Sequence, residues 1–196
     1  EAAAEAEAVA AAHARNADLM LEPTRAQFAA TPFARYRCVH LATHGSSVLD
    51  PGVVDDPLQS CVFLRDGPIT ASELATLPLR AELVVIAACH SGQRAIGGRG
   101  LARLPGDDLF GLQGVLFDAG VASVLGALWQ VADDIARLIL TDFHRAYAEG
   151  APPDVALQQA IAAHRRDPER PQDLFYWAPF FVSSFGRTSL PLHAGT

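Results

Sequence analysis

Lysine is missing from this chain: all fifteen basic residues are arginine. Beside so much alanine, glycine and proline, that reads as coding bias rather than function. The arginines are outnumbered by 22 acidic residues, for a net charge of −7. The domain therefore has no overall basic field, which argues against nucleic acid as a direct partner. Cysteine is scarce. Cys38, Cys61 and Cys89 are odd in number and irregularly spaced, so no disulfide framework is expected and a reducing, cytoplasmic setting fits best. No apolar run reaches the roughly 18 residues of a membrane helix, and no signal peptide is visible, so no membrane partner is expected. Charged residues are 19% of the chain, fewer than the usual quarter. Internal repeats and low-complexity tails are also missing.

What is present is core material. Half of the 196 residues are hydrophobic, enough for one compact domain. "EAAAEAEAVAAAHARN" predicts a helix over about Ala3 to Arg15, with Glu early and Arg late to suit the macrodipole. "ADLMLEPT" suggests a short strand, and Thr24 a cap for a helix through Ala30. "YRCVHLATHG" predicts a strand over Tyr36 to Ala42, apolar enough to be covered on both faces. After a Pro-, Gly- and Asp-rich loop come a short strand at "SCVFL", a turn at "DGPI" and a helix opened by the capping box Thr70–Glu73. "ELVVIAA" is a second central strand, followed by a glycine-rich loop. "DDLFGLQGVLFDAG" is a helix with an apolar stripe at Leu109, Leu112, Leu116 and Phe117, stopped by Gly120. "VASVLGALW" is a third central strand. Two helices follow, the first ending at Gly150, and "YWAPFFVSS" is a closing strand. Apolar strands alternating with helices predict an α/β fold, a mainly parallel sheet with helices on both faces.

In such sheets chemistry gathers beyond the carboxyl ends of the strands. Two strands end there with reactive groups, "HLATHG" with His44 and "VVIAACHSG" with Cys89. Joined by a crossover as parallel neighbours, they bring both groups to one edge. Either Cys89 packs as a small hydrophobe or it is presented as a nucleophile. A free thiol is mostly protonated at neutral pH, and an adjacent imidazole can take its proton and later return it to a leaving amine. Gly45 and Gly92 permit sharp turns, and the backbone N–H groups of Gly45 and Cys89 are candidates for holding an oxyanion.

The order strand–His-Gly, then strand–Cys-x-x-Gly, resembles the caspase-type cysteine peptidases and, among them, the CHAT domains often joined to tetratricopeptide repeats. "YRCVHLATHG" resembles that family's histidine strand and "LVVIAACHSG" its cysteine strand. "GDDLFGLQGVLFDAGVASVLGALWQVADD" resembles the helix–strand unit after it, and "YWAPFFV" the closing strand. The similarity runs from about Ala17 to Phe185. It implies a caspase-like fold and a cysteine endopeptidase with Cys89 as nucleophile and His44 as general base. Asp133, with Asp134 as the alternate, stands where related separases hold a substrate arginine. Ser91 stands where many CHAT sequences have threonine, a benign departure. The resemblance implies a protein substrate, and a regulatory protein or fused tetratricopeptide-repeat region as partner. The family has strands before the point where this chain begins, and the chain opens at Glu1 without methionine. Residues 1–196 are thus expected to be one protease domain, the C-terminal part of a longer protein, with 186–196 as a tail and the first strand or strands supplied from elsewhere.

No cofactor and no metal are expected. His90 beside Cys89 lacks the other ligands of a zinc site. "LDPGVVDDP" lacks the spaced ligands of a calcium loop, and "GGRGLARLPG" lacks the Gly-Lys-Ser/Thr of a phosphate loop. The last reads as a mobile substrate loop whose Arg94, Arg99 and Arg103 are candidates for self-cleavage. Cys38 and Cys61 read as core, and Trp129 and Trp177 as packing residues. His13, His144, His164 and His193 read as surface residues, and His40 as a satisfied structural histidine. The reading from another function class is a catalytically silent CHAT-fold module used for protein binding; intact His44 and Cys89 argue against it. An acyl-transfer enzyme of papain type is disfavoured because there the cysteine precedes the histidine.

Overall fold

The computed structural model describes residues 2–14, 16–43, 45–46, 61–87, 107–129 and 131–185. The chain begins with the alanine-rich helix α1 (Ala2–Ala12). Thr24 then caps α2 (Arg25–Ala29): its hydroxyl accepts from the Gln27 N–H while the Gln27 side chain accepts from the Thr24 N–H. A single 3-10 turn (Phe33–Arg35) leads into β1 (Cys38–Leu41), and the two-residue β2 (Gly45–Ser46) lies beyond it. The hairpin of β3 (Cys61–Leu64) and β4 (Gly67–Thr70) runs straight into α3 (Ala71–Ala75), capped by Thr70 and Glu73 as expected. Next come β5 (Leu83–Ile86), α4 (Asp107–Asp118), β6 (Ser123–Ala127), α5 (Asp133–Ala148), α6 (Pro153–Arg166), α7 (Leu174–Trp177) and β7 (Phe180–Ser184).

The main sheet has the order β1-β5-β6-β7. The β1–β5 and β5–β6 pairs are parallel, whereas β7 returns antiparallel to β6. Side chains alternate across this sheet, as the period of a strand requires. Val84, Ile86 and Val124 enter one core with Leu74 of α3 and Leu112 and Leu116 of α4. Leu83, Val85 and Leu125 enter a second core with Ile139, Leu140 and Phe143 of α5 and Leu157 of α6. Each large side chain buried in this way contributes about 1.5–3 kcal/mol relative to exposure. The sheet is therefore covered on both faces, and the predicted mainly parallel α/β architecture is what the chain adopts. A second sheet, β2-β3-β4, is wholly antiparallel.

Several local expectations change. "ADLMLEPT" is not a strand: none of the described strands pairs with it, and Leu19, Met20 and Leu21 stand about half exposed. "GPIT" is a strand rather than a turn; the chain reverses at Arg65-Asp66 and Leu64 pairs with Gly67. Pro68 is tolerated because β4 is the edge of its sheet. Gly67, at φ +142°, takes a conformation closed to other residues. The closing strand starts later than expected, since Asp173 accepts from the Phe175 N–H and nucleates α7. β1 is shorter than predicted and only half-buried along its length, because among the described residues it lies at the edge of the sheet.

The histidines depart furthest from expectation. His144 and His164 are fully buried and His13 is partly buried. His144 continues the stripe of Leu140 and Tyr147 on α5, and His164 follows Leu157 and Ala160 on α6. Both lie at core-facing helical spacing, the signal that marks them as inward despite their polarity. His40 is held by hydrogen bonds to His144 and Glu5, as a structural histidine should be. Cys61 is buried and Cys38 packs against the α5 side of the sheet, both consistent with core roles. The glycine-rich loop with Arg94, Arg99 and Arg103, residues His90 and His193, and the 186–196 tail lie outside the described residues.

Candidate active site

The site is built on the carboxyl ends of three adjacent parallel strands. β1 and β5 pair from Cys38↔Leu83 to Leu41↔Ile86. The pairing continues beyond the last strand residue, where the Ala87 N–H donates to the Leu41 carbonyl at 3.1 Å. β6 runs parallel on the other side of β5 and ends at Ala127 on the same edge. The two sequence candidates for chemistry, His44 and Cys89, lie outside the described residues. The strands that lead into them are neighbours in parallel register, as the sequence predicted.

The small sheet flanks this edge. Gly45 is the first residue of β2 and pairs with Val62, so its backbone is fixed by the ladder. The Thr43 hydroxyl donates to the Phe63 carbonyl at 2.5 Å, tying the end of β1 to β3. Of that second sheet only β3 was legible in the sequence, as the short strand at "SCVFL"; a two-residue strand such as β2 carries no periodicity to read.

At the end of β6 the chain turns through Trp129 and Val131 into α5. Val131, Ala132, Asp133 and Phe175 line a cavity of about 440 Å3. Val131 is buried, whereas Ala132 and Asp133 are exposed. Phe175 reaches this edge because β7 is antiparallel to β6: Phe180 pairs with Ala127, so the preceding α7 lies beside the end of β6. The Trp129 indole N–H donates to the Phe175 carbonyl at 2.9 Å, and the two rings stack at 6.1 Å. Trp129 is thus more than packing: it fixes the aromatic wall of the cavity. Phe175 went unread in the sequence; the Asp173 cap two residues earlier was the available signal.

The structure separates the two acidic candidates. Asp133 lines the cavity. Asp134 turns its carboxylate to the Ile135 N–H at 2.9 Å, in the first turn of a helix whose cap residue Ala132 offers no side-chain acceptor. Both carboxylates also suit the positive end of that helix.

Cys38 is not a competing nucleophile: burial pushes its thiol up to about 12, far from the range in which a thiolate forms at neutral pH. Among the described residues, no group of three or more His, Cys, Asp or Glu side chains could hold a metal ion. Nor is any described helix long and apolar enough to cross a membrane.

No curated protein matches the chain. The family model of the CHAT domain matches residues 1–186, and with its parallel strand order and helices on both faces the chain belongs to this caspase-like family.

Proposed function

We propose that the protein is a cysteine endopeptidase that works through Cys89 and His44. The observation that carries this reading is the β1–β5 ladder, whose last pair is Leu41↔Ile86. His44 and Cys89 each follow that pair by three residues (44 − 41 and 89 − 86). The two parallel strands that lead into these residues therefore end side by side on one edge of the sheet.

His44 takes the Cys89 proton, and the thiolate sulfur attacks the carbonyl carbon of a peptide bond. The Gly45 and Cys89 N–H groups hold the resulting oxyanion. The C–N bond breaks and the departing amine takes the proton from the imidazolium. His44 then removes a proton from water, whose oxygen attacks the thioester; the acid product leaves and the thiol is restored. Asp133, beside the Phe175 ring, receives a basic substrate side chain before the cut. A regulatory protein or a fused tetratricopeptide-repeat region controls access.

The test is mass-spectrometric profiling of cleavage in a diverse peptide library, comparing wild type with Cys89→Ala in the full-length protein with its partner present. Cuts that vanish in the variant are expected. Cutting that persists in Cys89→Ala, or no cutting by either protein, overturns the reading; the second outcome favours a binding module.

A further inference from the structure

Three imidazoles and one carboxylate form a linear hydrogen-bonded chain on the α5 side of β1. Glu5 Oε1 of α1 lies 2.8 Å from His40 Nε2 of β1. His40 Nδ1 lies 3.0 Å from His144 Nε2 of α5. His144 Nδ1 lies 2.9 Å from Nε2 of His13, which returns the chain to the end of α1. His144 is fully buried, and the side chains of Glu5 and His40 are each less than a tenth exposed. His13 is only partly buried and forms the solvent end.

Beyond these contacts, helix α1 lies against α5 with mostly alanine side chains. Its buried side chains are Glu5 and Val9. By contrast, α5 is anchored by a broad apolar stripe and β1 by its pairing with β5. We infer that the Glu5–His40–His144–His13 chain is a proton-operated latch that docks α1 at neutral pH and releases it in mild acid. This inference stands independently of the peptidase reading.

Each ring–ring contact needs one N–H and one lone pair. The two contacts occupy four nitrogens and therefore hold two protons between them. The outer nitrogens, Nδ1 of His13 and Nε2 of His40, hold at most one proton each. The docked chain thus carries at most four protons, one more than three neutral imidazoles. A second excess proton sets N–H against N–H and breaks a contact. Release of α1 breaks only the His13–His144 and His40–Glu5 contacts, so the freed His13 ring can hold two protons while the His40–His144 contact still holds one between its two nitrogens. The released rings therefore hold at most five protons against four, and docking weakens by about tenfold per pH unit in mild acid. The surroundings act in the same direction: burial, then the neighbouring His40 and His13, hold His144 down to about 2. Burial, then His40, also lowers His13.

The other titratable groups nearby do not offset this. Tyr147 of α5, with its ring 6.4 Å from that of His13, is pushed up to about 12 chiefly by burial, and so is Cys38 of β1. Both stay neutral through the range. Arg37 and Glu82 pair with each other at 2.8 Å, with Arg37 over the Tyr147 ring. The α6 helix on α5 brings the apolar Ala156, Leu157 and Ala160.

Hydrogen exchange read by mass spectrometry at pH 7.5 and 5.0, corrected for intrinsic rates, tests the latch. Protection of α1 should fall by about tenfold or more while β5 and β6 keep theirs. In His13→Gln the amide can still donate or accept but takes up no proton on release, so the fall should vanish. Constant α1 protection, loss of α1 only together with β5 and β6, or an unchanged slope in His13→Gln overturns the inference. The wild-type measurement alone decides the matter if that variant does not fold.

Discussion

Asp133 and Asp134 are neighbours in sequence with different surroundings, and that difference yields a prediction at the residue scale. Asp133 and Phe175 both line the cavity, whereas Asp134 is engaged with the Ile135 N–H. If a substrate arginine docks there, Asp133→Asn removes the charge that pairs with it. Hydrogen bonds to charged groups are worth about 1.5–3 kcal/mol, and the open cavity puts this one at the low end. The expected loss in kcat/KM is on the order of tenfold for peptides with Arg before the cut, with little change for peptides with an apolar residue there. Asp134→Asn should leave both unchanged. Paired kinetics on the two peptide series separate these outcomes, and equal losses in the two variants would remove Asp133 from the substrate site. The sequence allowed either aspartate, because adjacent residues at a helix start share the same helix-terminus chemistry and only the packing of α7 distinguishes them.

At the scale of elements, the long periodic segments were legible and the short partner-dependent ones were not. α4, α5 and α6 carry their own stripes and stop signals, and the central strands β5 and β6 are almost wholly apolar. β2 and β4 exist only because β3 lies between them, and α7 is a single capped turn. The parallel neighbouring of β1 and β5 was legible because two apolar runs separated by a crossover read as adjacent strands. The buried histidine chain was not, because it joins three elements distant in sequence. The stop of α4 can be tested directly. Gly120 sits at φ +92°, and a Cβ there would lie 3.3 Å from Cγ of Arg80. Left-handed backbone costs other residues about 1–2 kcal/mol, so Gly120→Ala should lower the urea-unfolding free energy by at least that much. An unchanged midpoint and slope would show that α4 ends for some other reason.

The molecule as a whole is tied together by the two strands that serve both cores. β5 gives Val84 and Ile86 to the α3–α4 side and Leu83 and Val85 to the α5–α6 side; β6 divides Val124 and Leu125 in the same way. Neither core can lose its packing without freeing side chains of strands that the other core needs. The two faces should therefore unfold in one cooperative transition. Leu116→Ala opens a cavity on one face and Phe143→Ala on the other, both at positions that are fully buried. Such truncations cost about 2–5 and 3–5 kcal/mol respectively. Trp129 and Trp177 report on the end of β6 and on α7, so their fluorescence follows the side remote from α4. Leu116→Ala should shift that fluorescence transition and the far-ultraviolet dichroism transition together and by the same amount. If the dichroism signal of α3 and α4 is lost while the tryptophan signal holds, the shared strands do not couple the faces. The chain would then behave as an α5–α6 platform with a separable α3–α4 layer.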